Sequence, residues 1–250
     1  MVLLLLADSH CHLDSFKNPE EIMEKATNLG VSHVLTNATN PANLAPNLLL
    51  SQSIKGVKCA LGVHPVDLLR LSNEEIEASF DWIESNISRA AAIGEIGLDF
   101  KHANAEQRVL QETVFRRFIE LALDNNLGVC IHARYAETKC LDILKELNAK
   151  KVQMHWFTNS KKTSQRAVEL GFKISCGPII LHDDDSALVV KDIPLGNLML
   201  ETDAPVPFKG KESDPSWIPS VCKKVAELKQ VSAEKVAYIT TRNFTGLFGG

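Results

Sequence analysis

Residues 128–155 read GVCIHARYAETKCLDILKELNAKKVQMH. An apolar run over 128–132 is followed by helical periodicity over 138–148 and then by a second apolar run over 151–155. Runs this short and this apolar read as buried strands rather than helices. Strand, helix, strand within about thirty residues is the unit from which parallel sheets are built. The same alternation extends outward in both directions. Strands are expected at 3–8, 33–37, 57–63, 91–96, 128–132, 151–155, 172–176 and 198–201. Helical periodicity falls at 19–28, 42–53, 73–86, 105–125, 138–148, 161–170 and, more weakly, 184–191, with two further helices after Pro215. Eight such units predict an α/β fold of the closed (β/α)8 TIM-barrel type, with an open doubly wound sheet as the alternative. No Pro/Gly/Ser-rich linker or charge block divides the chain, so one domain over 1–250 is expected.

Composition narrows the function. The chain has 250 residues, 45% hydrophobic and 23% charged, with a formal net charge of −4. This is the balance of an ordinary globular protein, long enough to bury a large core without staples. No apolar run approaches the roughly 18 residues of a membrane span, so no membrane partner is expected. The opening MVLLLL lacks a basic flank and meets Asp8 at once, and reads as strand rather than secretion signal. Six cysteines without a C-x-x-C pair point to reduced thiols and a cytoplasmic location. The mild acidity excludes attachment to nucleic acid by a broad basic face. An anionic substrate would have to be held locally.

In a barrel, functional groups gather at the C-terminal ends of the strands. The first strand runs into Asp8-Ser9-His10-Cys11-His12, where alternation turns His10 and His12 to one side and Cys11 to the other. Two imidazoles on one side form half of a site for zinc, manganese or another divalent ion. The fourth strand carries Glu95 between Gly94 and Gly97, a carboxylate too costly to bury without a positive partner. The fifth and sixth end at His132 and His155, and the eighth at Glu201 and Asp203, which are in phase. Six ligand-type groups, His10, His12, Glu95, His132, His155 and Asp203, exceed what one tetrahedral ion uses. Two ions bridged by Glu95 are expected, with Asp203 taking or relaying the proton of an attacking water. With hydroxide bound, such a centre keeps a charge of about +1, which favours a phosphodiester.

Around this set, His64 ends the third strand and is open to three roles: substrate contact, support of a ligand, or plain structure. Arg134 follows His132 on the same side, where it either clamps a phosphate or pairs internally with Glu201 or Asp99. Asp8 and Asp99 suit positions that orient ligating imidazoles or cap helices. Lys101, Lys161, Lys162, Lys209 and Lys211 fall in expected rim loops, where they either meet a nucleic-acid backbone or, on the plain reading, are simply solvated.

These residues lie in motifs: DSHCHLD at 8–14, LGVHP at 61–65, GEIGLDF at 94–100, IHAR at 131–134, ETDAP at 201–205 and RNFTGLF at 242–248. Across nearly the full length the chain resembles the TatD family of metal-dependent deoxyribonucleases, among the amidohydrolase-like barrels. The resemblance implies a (β/α)8 barrel and DNA cleavage, often exonucleolytic, with magnesium, manganese or zinc. It implies metal ligation by His10, His12, Glu95, His132, His155 and Asp203, and a substrate-side role for His64, Arg134 and Glu201. Where dihydroorotase-like relatives bridge their metals with a carboxylated lysine, Glu95 holds the place here. The chain departs from the family's usual H-C-F-S-G, which reads His155-Trp156-Phe157-Thr158-Asn159, and Gly128 stands where a proline is common before strand five.

The expectation is a two-metal phosphodiesterase with DNA as its substrate, a 3′-5′ exonuclease on single-stranded ends, needing no obligatory protein partner. The alternative is hydrolysis of a carboxyl ester or amide on the same site, such as an aminoacyl ester on tRNA. A metal-stabilised scaffold without catalysis is the third reading, disfavoured by the complete ligand set.

Overall fold

The computed structural model describes residues 5–157 and 160–249. Eight parallel strands follow one another around a sheet in sequence order: β1 Leu6–Cys11, β2 Val31–Asn37, β3 Val57–Leu61, β4 Ala92–Asp99, β5 Gly128–Arg134, β6 Val152–Met154, β7 Lys173–Cys176 and β8 Leu198–Leu200. Between them run α1 Pro19–Asn28, α2 Pro41–Ser53, the single turn α3 Pro65–Leu68, α4 Asn73–Asn86, α5 Ala105–Asp124, α6 Glu137–Glu146, α7 Lys161–Glu169 and α8 Asp184–Asp192. A small hairpin, β9 Pro207–Phe208 and β10 Lys211–Glu212, precedes α9 Ile218–Lys229 and α10 Ala233–Phe248. The (β/α)8 expectation holds, and the open doubly wound sheet is excluded by the strand order.

The sheet is nearly closed. Between β8 and β1 the ladder shrinks to one bridge, Cys11 to Ala204, with His12 N–H donating to Ala204 O at 2.7 Å and Asp203 N–H to His10 O at 2.9 Å. The carboxylate of Asp8 completes this seam. It accepts from the backbone N–H of His10 and of Thr202 at 3.2 and 3.0 Å, and from Thr202 Oγ1 at 2.5 Å. Asp8 is thus neither an orienter of imidazoles nor a helix cap. It replaces missing ladder bonds, and complete burial pushes its carboxyl up to about 8 against the pull of those hydrogen bonds.

The same chemistry moves the first strand. Expected over 3–8, it is found at Leu6–Cys11, all six residues buried, while Leu5 is exposed. Residues 3 and 4 lie outside the described residues. Polar Asp8, Ser9 and His10 stay inside because each has a partner in the barrel. At the opposite, N-terminal end, the small side chains Ala7, Ala60 and Ala92 leave space that Phe244 and Phe248 of α10 fill, together with Leu35 and Met199. Asn243 Nδ2 ties this helix to the carbonyls of Leu195 and Leu198 at 2.9 and 2.7 Å. With the base plugged, the open face is the one at the C-terminal strand ends.

Candidate metal centre

Glu95 stands at the middle of that face. Its strand stays close to its neighbours because glycines flank it. A Cβ on Gly97, whose φ is +143°, would lie 2.0 Å from His132 O, and one on Gly94 would lie 2.7 Å from Cys130 Cβ. The two carboxylate oxygens face two different groups of side chains. Glu95 Oε2 is 3.4 Å from His10 Nε2 and 3.6 Å from His12 Nε2, and Asp203 Oδ1 is 3.5 Å from each of those nitrogens. Glu95 Oε1 is 3.1 Å from His132 Nδ1, 3.6 Å from His155 Nε2 and 3.7 Å from His64 Nε2.

Most of these separations are too long for hydrogen bonds. Ligand atoms about 2.0–2.2 Å from a tetrahedral ion are about 3.3–3.6 Å apart, and the first group falls in that range. His10 Nε2 is fully buried and has no hydrogen-bond partner among the described residues. A buried, orphaned imidazole nitrogen aimed between two carboxylates is the arrangement a cation completes. The donors, imidazole nitrogen and carboxylate oxygen, suit divalent transition metals and tolerate magnesium.

The other nitrogen of each ring is also held. His12 Nδ1 donates to the carbonyl of Asn37 at 2.9 Å, His155 Nδ1 to Glu201 at 3.1 Å, and His132 Nε2 to Asp99 at 3.2 Å. His10 Nδ1 lies 3.0 Å from the Cys130 thiol. Such partners set the tautomer and aim the free lone pair at an ion. His64 is different. As cap of α3, its Nδ1 accepts the Val66 N–H at 3.2 Å, which leaves the proton of the neutral ring on Nε2, turned toward Glu95. His64 is therefore arranged as a donor rather than as a ligand.

The electrostatics say what the centre lacks. Burial alone would raise Glu95 and Asp203, yet the surrounding imidazoles hold Glu95 well below, and Asp203 below, the ordinary carboxylate range. In return, and against burial, Glu201 and Asp203 hold the His155 imidazolium up to about 10, and Asp203 and Glu95 hold His12 up to about 9. Burial drives His64 down to about 3. The carboxylates thus draw positive charge onto the rings, the charge that metal ions would bring instead.

The structure brings His10, His12, Glu95, His132, His155 and Asp203 together. With His12, His64, Glu95, His132, His155 and Asp203, a cavity of about 590 Å³ is lined by Arg134, Trp156, Thr39, Asp67, Val206 and Ala133. Arg134 is exposed at the mouth and forms no internal ion pair among the described residues, so its pairing with Glu201 or Asp99 is not seen. Glu201, expected beside substrate, is fully buried and does not line the cavity. β8 ends at Leu200, and Asp203 adopts φ 53°, which breaks the alternation that put both acids on one side. Glu201 lies beneath the site instead, accepting from His155, Trp156 N–H and Ser175 Oγ. Asp99 takes the orienting role, shared between His132 and His102 at 2.9 Å. Of the rim lysines, Lys161 pairs with Asp192 on the surface at 2.7 Å. Cys130, Trp156 and Asp67 were not among the expected site residues. Cys130 and Trp156 had a signal, Cys130 because it precedes His132 by two and so shares its face, Trp156 because it departs from the family pattern directly after His155.

Residues 7–249 match the family model described as TatD related DNase. The chain is 33% identical to an uncharacterized metal-dependent hydrolase, YabD, of Bacillus subtilis, covering 98% of this chain and 99% of that one. It is also 33% identical to the deoxyribonuclease TATDN3 of Homo sapiens, covering 97% and 94%. The crystal structure of YJJV, a TatD homolog from Escherichia coli, superposes with a TM-score of 0.90 at 29% identity, covering 98% of each chain. No helix among the described residues is long and apolar enough to cross a membrane. With its barrel, its histidine-carboxylate cluster and these relatives, the chain belongs to the TatD family of metal-dependent hydrolases.

Proposed function

We propose that the protein hydrolyses phosphodiester bonds of DNA, shortening single strands from the 3′ end, with two divalent ions that His10, His12, Glu95, His132, His155 and Asp203 would hold. The observation that carries the reading is the division of labour within Glu95, one oxygen facing His10 and His12, whose nitrogens also face Asp203, and the other facing His132 and His155. The deoxyribonuclease name of the human relative and of the family model supports the choice of substrate.

Magnesium, manganese or zinc held there would lower the pKa of water and neutralise charge developing on the phosphate. The protein's own side chains do the rest. Arg134, exposed and without an internal partner among the described residues, presents a planar guanidinium to a phosphate and fixes its orientation. His64 offers its Nε2–H to an oxygen of the bound phosphate. Asp203, held ionised at the cavity wall, accepts the proton of the attacking water. Glu201 keeps His155 in place from below. The acidic chain attracts DNA by this local chemistry rather than by a basic surface.

The test combines metal content with cleavage of end-labelled single-stranded DNA. About two equivalents of metal per chain and metal-dependent loss of nucleotides from the 3′ end are expected. Glu95→Ala and Asp203→Ala should each lose roughly 10²–10⁴-fold in rate. Metal present with DNA untouched, while a carboxyl or aminoacyl ester turns over, would replace this reading with ester hydrolysis.

A further inference from the structure

Trp156 follows His155 directly and forms part of the cavity wall. It is the residue by which the chain leaves the H-C-F-S-G pattern at the site itself. Its backbone adopts φ 42°, a conformation that is a genuine outlier for a bulky side chain. The surroundings hold it there, since Trp156 N–H donates to the buried Glu201 carboxylate at 2.8 Å. The indole is supported by other rings. Phe208 of the β9–β10 hairpin lies 5.7 Å away, centroid to centroid, inclined at 34°, and Trp217 stands 6.4 Å beyond Phe208. Phe208 is buried, so the row of rings braces Trp156 from the protein side, while Trp156 itself is only half-buried at the cavity.

A fixed aromatic plane beside a phosphate-handling centre has a natural complement. Arg134 ends β5 and Trp156 lies just beyond β6, and these strands are neighbours. A guanidinium and an indole thereby line the same cavity, one for the anionic end and one for the flat, apolar end of the same ligand. A nucleotide has both ends. Every base has a π face, so an aromatic platform binds strands without reading their sequence. The cavity, about 590 Å³, has the size of a site for one small ligand.

We propose that Trp156 is the platform on which the base next to the scissile phosphate stacks, so that single strands are favoured when their 3′-terminal residue carries a base. The inference rests on the DNA reading above. Phe208 and Trp217 are positioning residues that act through Trp156.

The experiment compares two short single strands, one intact and one with an abasic tetrahydrofuran residue at the 3′-terminal position. Binding to the full chain is followed with chelator present, through quenching of intrinsic fluorescence and anisotropy of a 5′ label. Cleavage is followed with metal. The wild-type protein should favour the intact strand by roughly ten- to a hundredfold, the range that loss of one base–aromatic stack produces. Trp156→Ala should shrink this preference to within about threefold, and Trp156→Phe should retain most of it. Quenching by the intact strand should disappear in Trp156→Phe although Trp82 and Trp217 remain. Equal wild-type treatment of intact and abasic strands overturns the platform and leaves phosphodiester hydrolysis standing. This comparison needs no variant. A preference that survives in Trp156→Ala overturns it equally. Failure to bind or cleave either strand, with turnover of carboxyl esters, removes the DNA reading and the platform with it.

Discussion

At the scale of residues, the partner of His10 is the unusual one. The other imidazoles of the cluster lean on a carbonyl or a carboxylate, whereas His10 Nδ1 lies against the buried thiol of Cys130 at 3.0 Å. Burial raises that thiol well above its usual range, so it stays protonated as a compact dipole rather than a charge. Cys130→Ala is expected to weaken binding of the ion that His10 would hold about tenfold or more, measured as metal retained against a competing chelator. Retention equal to the wild type would show that the thiol only fills space. A second expectation concerns protons. His12 and His155 carry protons up to about 9 and about 10 without metal, so ion and proton compete for them. Metal affinity should rise with pH and level off near pH 10, with protons released on loading. Titration calorimetry in buffers of different ionisation heat reads this release directly. The same raised values stabilise the metal-free fold fully below about 6.5, the ordinary histidine value, and that contribution is lost as pH rises through 9 to 10. The six metal-binding candidates were legible because ligand chemistry is costly to bury and they lie in, or just beyond, five of the apolar strands. Cys130 and Glu201 were not, because their roles depend on which neighbour a strand faces and on a left-handed turn at Asp203 that no alternation rule anticipates.

At the scale of elements, the eightfold alternation was readable because an apolar strand and an amphipathic helix have different periods. Boundaries were less so. β4 continues past its expected end at 96 to Asp99 because its register shifts between Ile93 and Ile96, carrying the strand on beside β5. β3, expected to reach 63, stops at Leu61, and His64 then caps α3. The C-terminal helix was expected only as a helix, yet it serves as the stopper of the barrel. Phe244 is fully buried among alanines of three strands. Phe244→Ala should cost about 3–5 kcal/mol of stability, read from denaturant unfolding, while metal content per folded molecule stays as in the wild type. A loss of metal without loss of stability would mean that base and rim are coupled in a way the packing does not suggest.

At the scale of the whole molecule, the site and the weakest join of the barrel coincide. His10 and His12 belong to β1, Asp203 lies just beyond β8, and only a few hydrogen bonds with the Asp8 carboxylate tie these two edges. An ion shared by His10, His12 and Asp203 would span the join. Chelation should therefore lower the melting temperature by roughly 5–10 °C relative to protein kept at a hundredfold excess of metal over its dissociation constant. An unchanged melting temperature on chelation would mean that the folded chain binds no ion in preference to the unfolded one. The consequence reaches beyond catalysis. A barrel fastened by its own cofactor loosens when the cofactor is scarce, and loosened chains are the ones that proteases remove. The amount of this protein in a starved cell would then track the supply of metal, and the hoop would keep its own inventory.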